Sequence, residues 1–182
     1  MPKTRKAAKV AYTLLNAEDH ATDYALLDAV RDAYHDDITG AHVALAFCNS
    51  WKADVDGIQT LGKCKRAASL DRELHAWDFV ILLNEDFWRH ELTTNQQREA
   101  LLDHELCHAA VTEDPDTGDP KRDERGRIVY RIRKHDLEEF ACIPERHGLW
   151  KRDLERFAQA IRRADQQPKL PMDPADAQPA VH

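Results

Sequence analysis

The chain has 182 residues, 32% of them charged, and a formal net charge of −7. That length suffices for one ordinary hydrophobic core, and the acidic balance argues against a protein devoted to coating DNA or a membrane surface. No run approaches the roughly twenty apolar residues of a membrane span.

Residues 1–10 read as a loose basic arm. No small-residue cleavage site follows them, so no signal peptide is expected. Ala17 to Tyr34 has helical spacing of Ala21, Tyr24, Leu27, Val30, Ala33 and Tyr34 and is predicted as an amphipathic helix. Ala41 to Cys48, AHVALAFC, has the length and composition of a strand. Ile58 to Ala67 is a second strand candidate beyond the polar loop SWKADVDG. Trp77 to Asn84, WDFVILLN, is the strongest strand signal. Its unbroken apolar run from Phe79 to Leu83 implies burial on both faces. At a sheet edge, the same run would offer an extended peptide a strand to pair with.

Asn84 to Trp88 leads toward the stretch that carries the chemistry, Thr93 to Ala110, TTNQQREALLDHELCHAA. Thr93 with Gln96 three residues on forms a capping box, which starts a helix. On that helix His104-Glu105-Leu106-Cys107-His108 is an H-E-x-x-H pattern. Residues four apart share a helix face, so His104 and His108 can offer two imidazoles to one zinc ion. Glu105, on the flank, is placed to take a proton from an activated water. Leu102, Leu106 and Ala109 fall on the opposite side and are expected to pack into the core. Cys107 lies off the histidine face and is read as helix packing.

Beyond His108, the segment DPDTGDPKRDERG is an exposed turn or hairpin loop. Arg127 to Arg133, RIVYRIR, alternates basic and apolar residues as a half-exposed strand does. HDLEEFACIPERHGLW opens a second helical region, kinked or divided at Pro144 and stopped by Gly148. Lys151 to Ala164 is a final charged helix, and 166–182 is a proline-rich, polar, disordered tail.

A catalytic zinc needs a third protein ligand and keeps one position open. His135 is the favoured ligand, at the start of the second helical region, with Glu138 or Glu139 orienting an imidazole. A His-His-Glu site, with one of those glutamates on zinc, is the alternative, and His147 is a third candidate. Asp136 reads as a helix-dipole acid.

The ordered motifs DFVILLNEDFW, LTTNQQREALLDHELCH, HDLEEF and ERHGLW resemble the phage metallopeptidase family over roughly Ala41 to Trp150. HELCHAA is also similar to the metal helix of SprT-like zinc peptidases. The resemblance implies a zincin-like core, a phage or prophage origin, His104 and His108 as metal ligands and Glu105 as the catalytic residue. His135, Glu138 and Glu139 carry over as members of HDLEEF. SprT-like enzymes take a third histidine from an H-G-x-x-W/F segment, which His147-Gly148-Leu149-Trp150 echoes one residue short.

Cys48, Cys64, Cys107 and Cys142 contain no C-x-x-C pair and read as buried, reduced thiols, which suits the cytoplasm of a bacterial host. Lys63, Lys65 and Arg66 with Arg131, Arg133 and Lys134 read as solvated strand edges, with nucleic-acid contact as the alternative. Trp51, Trp77, Trp88 and Trp150 read as core and rim packing. The expected architecture is therefore α+β: a small sheet on the H-E-x-x-H helix with flanking helices, in one domain over 11–165. The expected activity is zinc-dependent hydrolysis of a protein or peptide. A non-catalytic zinc-stabilised binding protein and a DNA-associated SprT-like protease are the alternatives.

Overall fold

A computed structural model describes residues 11–138 and 141–165, so the expected basic arm and proline-rich tail lie outside the described residues. The chain divides after Arg133 into two compact units. The first is α+β. Its main sheet comprises β1 (Tyr12–Leu14), β2 (Val43–Cys48), β3 (Gly62–Arg66) and β4 (Phe79–Asn84), in spatial order β1-β2-β4-β3. β4 runs parallel to β2, with Val43 opposite Phe79 and Cys48 opposite Asn84. It runs antiparallel to β3, with Cys64 opposite Ile81.

The apolar run at β4 is explained by this position. Bonded on both sides, β4 buries Phe79, Ile81, Leu82 and Leu83. A peptide cannot add to it, which corrects the strand-addition expectation for Phe79 to Leu83. The edges are β1 and β3. Along β3, Lys63 and Lys65 are exposed while Cys64 is buried, the alternation and charge that discourage pairing with a foreign strand.

Helix α1 (Ala21–Tyr34) starts where its apolar spacing begins, four residues later than the range expected from Ala17, and buries Leu27 and Val30. A helix absent from the sequence reading, α2 (Ser69–His75), connects β3 to β4, and its Leu70 and Leu74 remain exposed. The short α3 (Glu85–Arg89) is capped by the Asn84 side chain, which accepts from the Phe87 N–H. Helix α4 (Asn95–Cys107) buries Leu102 and Leu106 against the core shared with α1 and the sheet. Full burial of each leucine stabilises the helix in place by about 1.5–3 kcal/mol.

The chain leaves α4 straight into β5 (Ala109–Val111), which pairs antiparallel with β6 (Tyr130–Ile132). Between them the polar loop is ordered by turns: Asp114 accepts from Asp116 N–H, and Asp123 accepts from Arg125 and Arg127 N–H. Arg125 and Arg127 both pair with Glu73, and Arg127 also pairs with Asp123. The Arg127 and Arg125 guanidinium groups hold the Glu73 carboxyl below its ordinary range, and at Asp123 the Arg127 backbone N–H does most of the same work, aided by the Arg127 guanidinium and the Arg125 N–H.

In the second unit, residues 134–138 are not helical, so His135 does not open a helix as expected. Helix α5 (Cys142–His147) contains Pro144 in its first turn, where a missing N–H costs nothing. Pro144 therefore sits inside the start of this helix and does not divide it. Gly148 ends it at φ +69°, a left-handed conformation that glycine adopts without strain. Helix α6 (Arg152–Ala164) buries Leu154. Among the described residues, no helix is long and apolar enough to cross a membrane.

Candidate metal centre

Thr94 starts α4, one residue later than the predicted cap. Its hydroxyl accepts from the Gln97 N–H at 3.2 Å, and the Gln97 side chain accepts from the Thr94 N–H at 2.8 Å. Thr93 is buried instead, with its hydroxyl donating to the Phe87 carbonyl at 2.7 Å. That start places His104 and His108 in the last turn and at the C-cap, with Leu102 and Leu106 turned inward.

The two imidazoles come together as the spacing requires. Their rings are 5.2 Å apart, nearly perpendicular, with ligand nitrogens within 4.8 Å. His108 is held from a second direction. Its Nδ1 lies 2.7 Å from the Arg133 carbonyl, and the Arg133 N–H donates to the His108 carbonyl at 2.7 Å. A carbonyl only accepts, so Nδ1 carries the proton of this bond, and in the neutral ring Nε2 is then the basic nitrogen. This outer hydrogen bond, which fixes ring and tautomer, is typical of metal-ligating histidines. The donor set suits zinc or a similar divalent ion.

Glu105 takes a different direction from the flank position its sequence spacing suggests. It is 3% exposed, and its carboxylate turns onto β3, where it accepts from the Cys64 backbone N–H. A Cβ at Gly62 would lie 2.5 Å from Glu105 Oε1, so only glycine leaves room for the side chain. Oε2 has no hydrogen-bond partner among the described residues. Burial raises the Glu105 proton affinity, against the opposing pull of the Cys64 N–H and of the neighbouring His108 and Lys63. Glu105 in turn helps burial push the Cys64 thiol up to about 12, which keeps it inert.

Of the other expected site residues, His135 and Glu138 are exposed in the second unit, His147 ends α5, and Glu139 lies outside the described residues. His135 follows Arg133 by two residues, so their Cα atoms are at most about 7 Å apart. Cys48 and Cys64 are buried as expected. Cys107 is exposed, which corrects its reading as helix packing, and the side chain of Cys142 is outside the described residues.

Sequence reasoning passed over a second grouping, on the neighbouring face of α4. His35, Asp103 and Cys107 have ligand atoms within 4.8 Å of one another. The Asp103/Cys107 spacing of four was the available signal, but His35 comes from the far end of α1 and only the fold supplies it.

No curated protein and no solved structure matches the chain. A family model described as "Putative phage metallopeptidase" matches residues 16–162, well over half of the chain. With a helix that offers paired imidazoles to a metal and this match running through it, the chain belongs to the phage metallopeptidase family.

Proposed function

We propose that the protein is a zinc-dependent peptidase with a zincin-like site, in which His104, His108 and His135 hold the metal and Glu105 is the general base. The observation that carries this reading is the pairing of His104 with a His108 ring whose Nδ1 is held 2.7 Å from the Arg133 carbonyl, with ligand atoms of the two imidazoles within 4.8 Å. His135 is supported by its distance along the chain, since the same Arg133 is tethered to His108 two residues before it. The family match crosses the division at Arg133, which supports treating residues 11–165 as one functional module.

Zinc bound at such a site supplies Lewis acidity to a scissile carbonyl and to water. The protein's own contribution is proton management. Glu105 Oε2, buried and without a hydrogen-bond partner among the described residues, takes the proton from the attacking water and returns it to the leaving amine. Burial brings the affinity of this carboxyl closer to neutrality, which suits a base that must also act as an acid. The Cys64 N–H and Gly62 set where the carboxyl can sit.

The test is Glu105→Gln, which keeps size and hydrogen bonding and removes the proton acceptor. It is expected to retain zinc and fold while losing casein hydrolysis by at least about 10²-fold. Equal hydrolysis by variant and parent would remove Glu105 from this role.

A second reading, that the peptidase acts on DNA-bound proteins, has one observation in its favour. The fold brings β3, with exposed Lys63, Lys65 and Arg66, beside β6, with exposed Arg131 and then Arg133. Salt-sensitive DNA binding that weakens in Arg131→Gln/Arg133→Gln would support it, and no binding at low salt would exclude it.

A further inference from the structure

We infer that α4 carries a second metal site, independent of the histidine pair, formed by His35, Asp103 and Cys107. It would take a divalent transition ion such as zinc and clamp the C-terminal end of α1 to α4.

The geometry is close to what such an ion needs. His35 Nε2 lies 2.9 Å from Asp103 Oδ1, Cys107 Sγ lies 4.0 Å from the same oxygen, and no pair of ligand atoms exceeds 4.8 Å. Around tetrahedral zinc, with bonds of about 2.0 Å to nitrogen and oxygen and about 2.3 Å to sulfur, neighbouring donors stand about 3.3–3.6 Å apart. The trio therefore brackets the required spacing, and shifts of about 1 Å or less would close it. One imidazole, one carboxylate and one thiolate form an ordinary zinc donor set.

The three donors are also held differently from one another. The His35 ring is 8% exposed, and the His35 backbone N–H donates to Arg31 at the end of α1, so the imidazole is fixed within the packed interior. Asp103 and Cys107 sit one turn apart on the same face of α4, with 42% of the Asp103 side chain exposed. An ion can reach them from solvent, and water can supply the fourth position. A hydrogen bond from His35 to Asp103 would staple the helices without any metal. The Cys107 thiol also reaches Asp103, at the 4.0 Å limit of a sulfur hydrogen bond, so the metal-free arrangement draws on the same three residues and the titration below separates the two.

The thiolate allows a test that the histidine pair cannot imitate. The metal-free full-length chain is titrated with cobalt(II), whose bond to a thiolate produces a near-ultraviolet charge-transfer band. Parent protein is expected to show the band and to bind two equivalents. His104→Ala/His108→Ala is expected to keep the band and one equivalent. Cys107→Ser, at an exposed position that does not threaten folding, is expected to lose the band and keep one equivalent. Asp103→Asn, which preserves the acceptor for His35, is expected to weaken cobalt binding at this site by at least about 10-fold. No band in the parent, or a band that survives Cys107→Ser, would overturn the site. Loss of metal from the histidine variant alone bears only on the peptidase reading, so the two can fail separately.

Discussion

Replacing Gly62 by alanine tests the seat of Glu105 directly. The added methyl carbon would lie 2.5 Å from Oε1 and 2.9 Å from both Cδ and Cγ of Glu105, where carbon contacts normally begin at about 3.5 Å. Rotating the carboxylate relieves only the first of these clashes. The other two require the buried side chain, or α4 itself, to back away from β3. Overpacking of this kind costs about 1–3 kcal/mol. Reduced freedom of the unfolded chain offsets about 0.4–1 kcal/mol of that. The net loss is about 1–2 kcal/mol, or roughly 3–6 °C in Tm for a protein of this size. Glu105→Ala removes the obstacle, so the double variant Gly62→Ala/Glu105→Ala is expected to recover most of the loss. Urea denaturation of the four metal-free proteins closes the cycle, with an expected coupling of about 1–2 kcal/mol. If Gly62→Ala costs the same in both backgrounds, within about 0.5 kcal/mol, Glu105 does not rest on β3 and the reasoning about its proton affinity fails with it.

His104→Ala or His108→Ala is expected to abolish stoichiometric zinc at the histidine site and to lower the Tm measured in excess zinc, because metal binding is linked to folding. His135→Ala is expected to weaken zinc by far more than the roughly 10–100-fold of an outer-ligand change at Glu138 or Glu139. A glutamate variant that empties the site, with His135→Ala still loaded, would make it His-His-Glu. Glu73 and Asp123 have lowered affinities in the folded protein, so the stability they lend the β5–β6 hairpin is full above their ordinary values of 4.5 and 3.8 and fades as pH falls through the depressed ones. Hydrogen exchange within 112–129 is expected to accelerate below about pH 4 relative to the β2–β4 core, and Arg127→Gln should remove part of that acid sensitivity, chiefly the part due to Glu73, because the backbone N–H groups on Asp123 remain.

The parts of this fold that were legible beforehand are those where pattern and burial coincide. The unbroken Phe79–Leu83 run announced a buried strand, though not whether it lay at the centre or the edge, and the spacing of His104 and His108 announced their shared face. The cap of α4 shows how such reading slips. Thr93 with Gln96 and Thr94 with Gln97 spell the same box one residue apart, and only the demand of the Phe87 carbonyl for the Thr93 hydroxyl separates them. Ala109 and Ala110 look helical by composition yet form β5, because the returning Arg133 meets the helix end and continues as a ladder. Glu105 was legible as chemistry but not as geometry. Its direction depends on Gly62, a residue 43 positions earlier whose only contribution is the absence of a side chain. His35 was invisible for the same reason, since no local pattern links the end of α1 to Asp103.

The order of strands in the main sheet bears on how the chain is made. β4 lies between β2 and β3, yet it is the last of the four to leave the ribosome. Until residue 84 has emerged, β2 and β3 have no common neighbour, and the apolar side chains of β2, with Cys64 of β3, must wait uncovered. The β4 strand then inserts into a gap, making a parallel pairing on one side and an antiparallel one on the other. Non-local pairings of this sort are slow to close and expose the chain to aggregation while they do. The lysines of β3 are thus useful before the protein has folded as well as after, keeping a waiting strand in solution until its partner arrives.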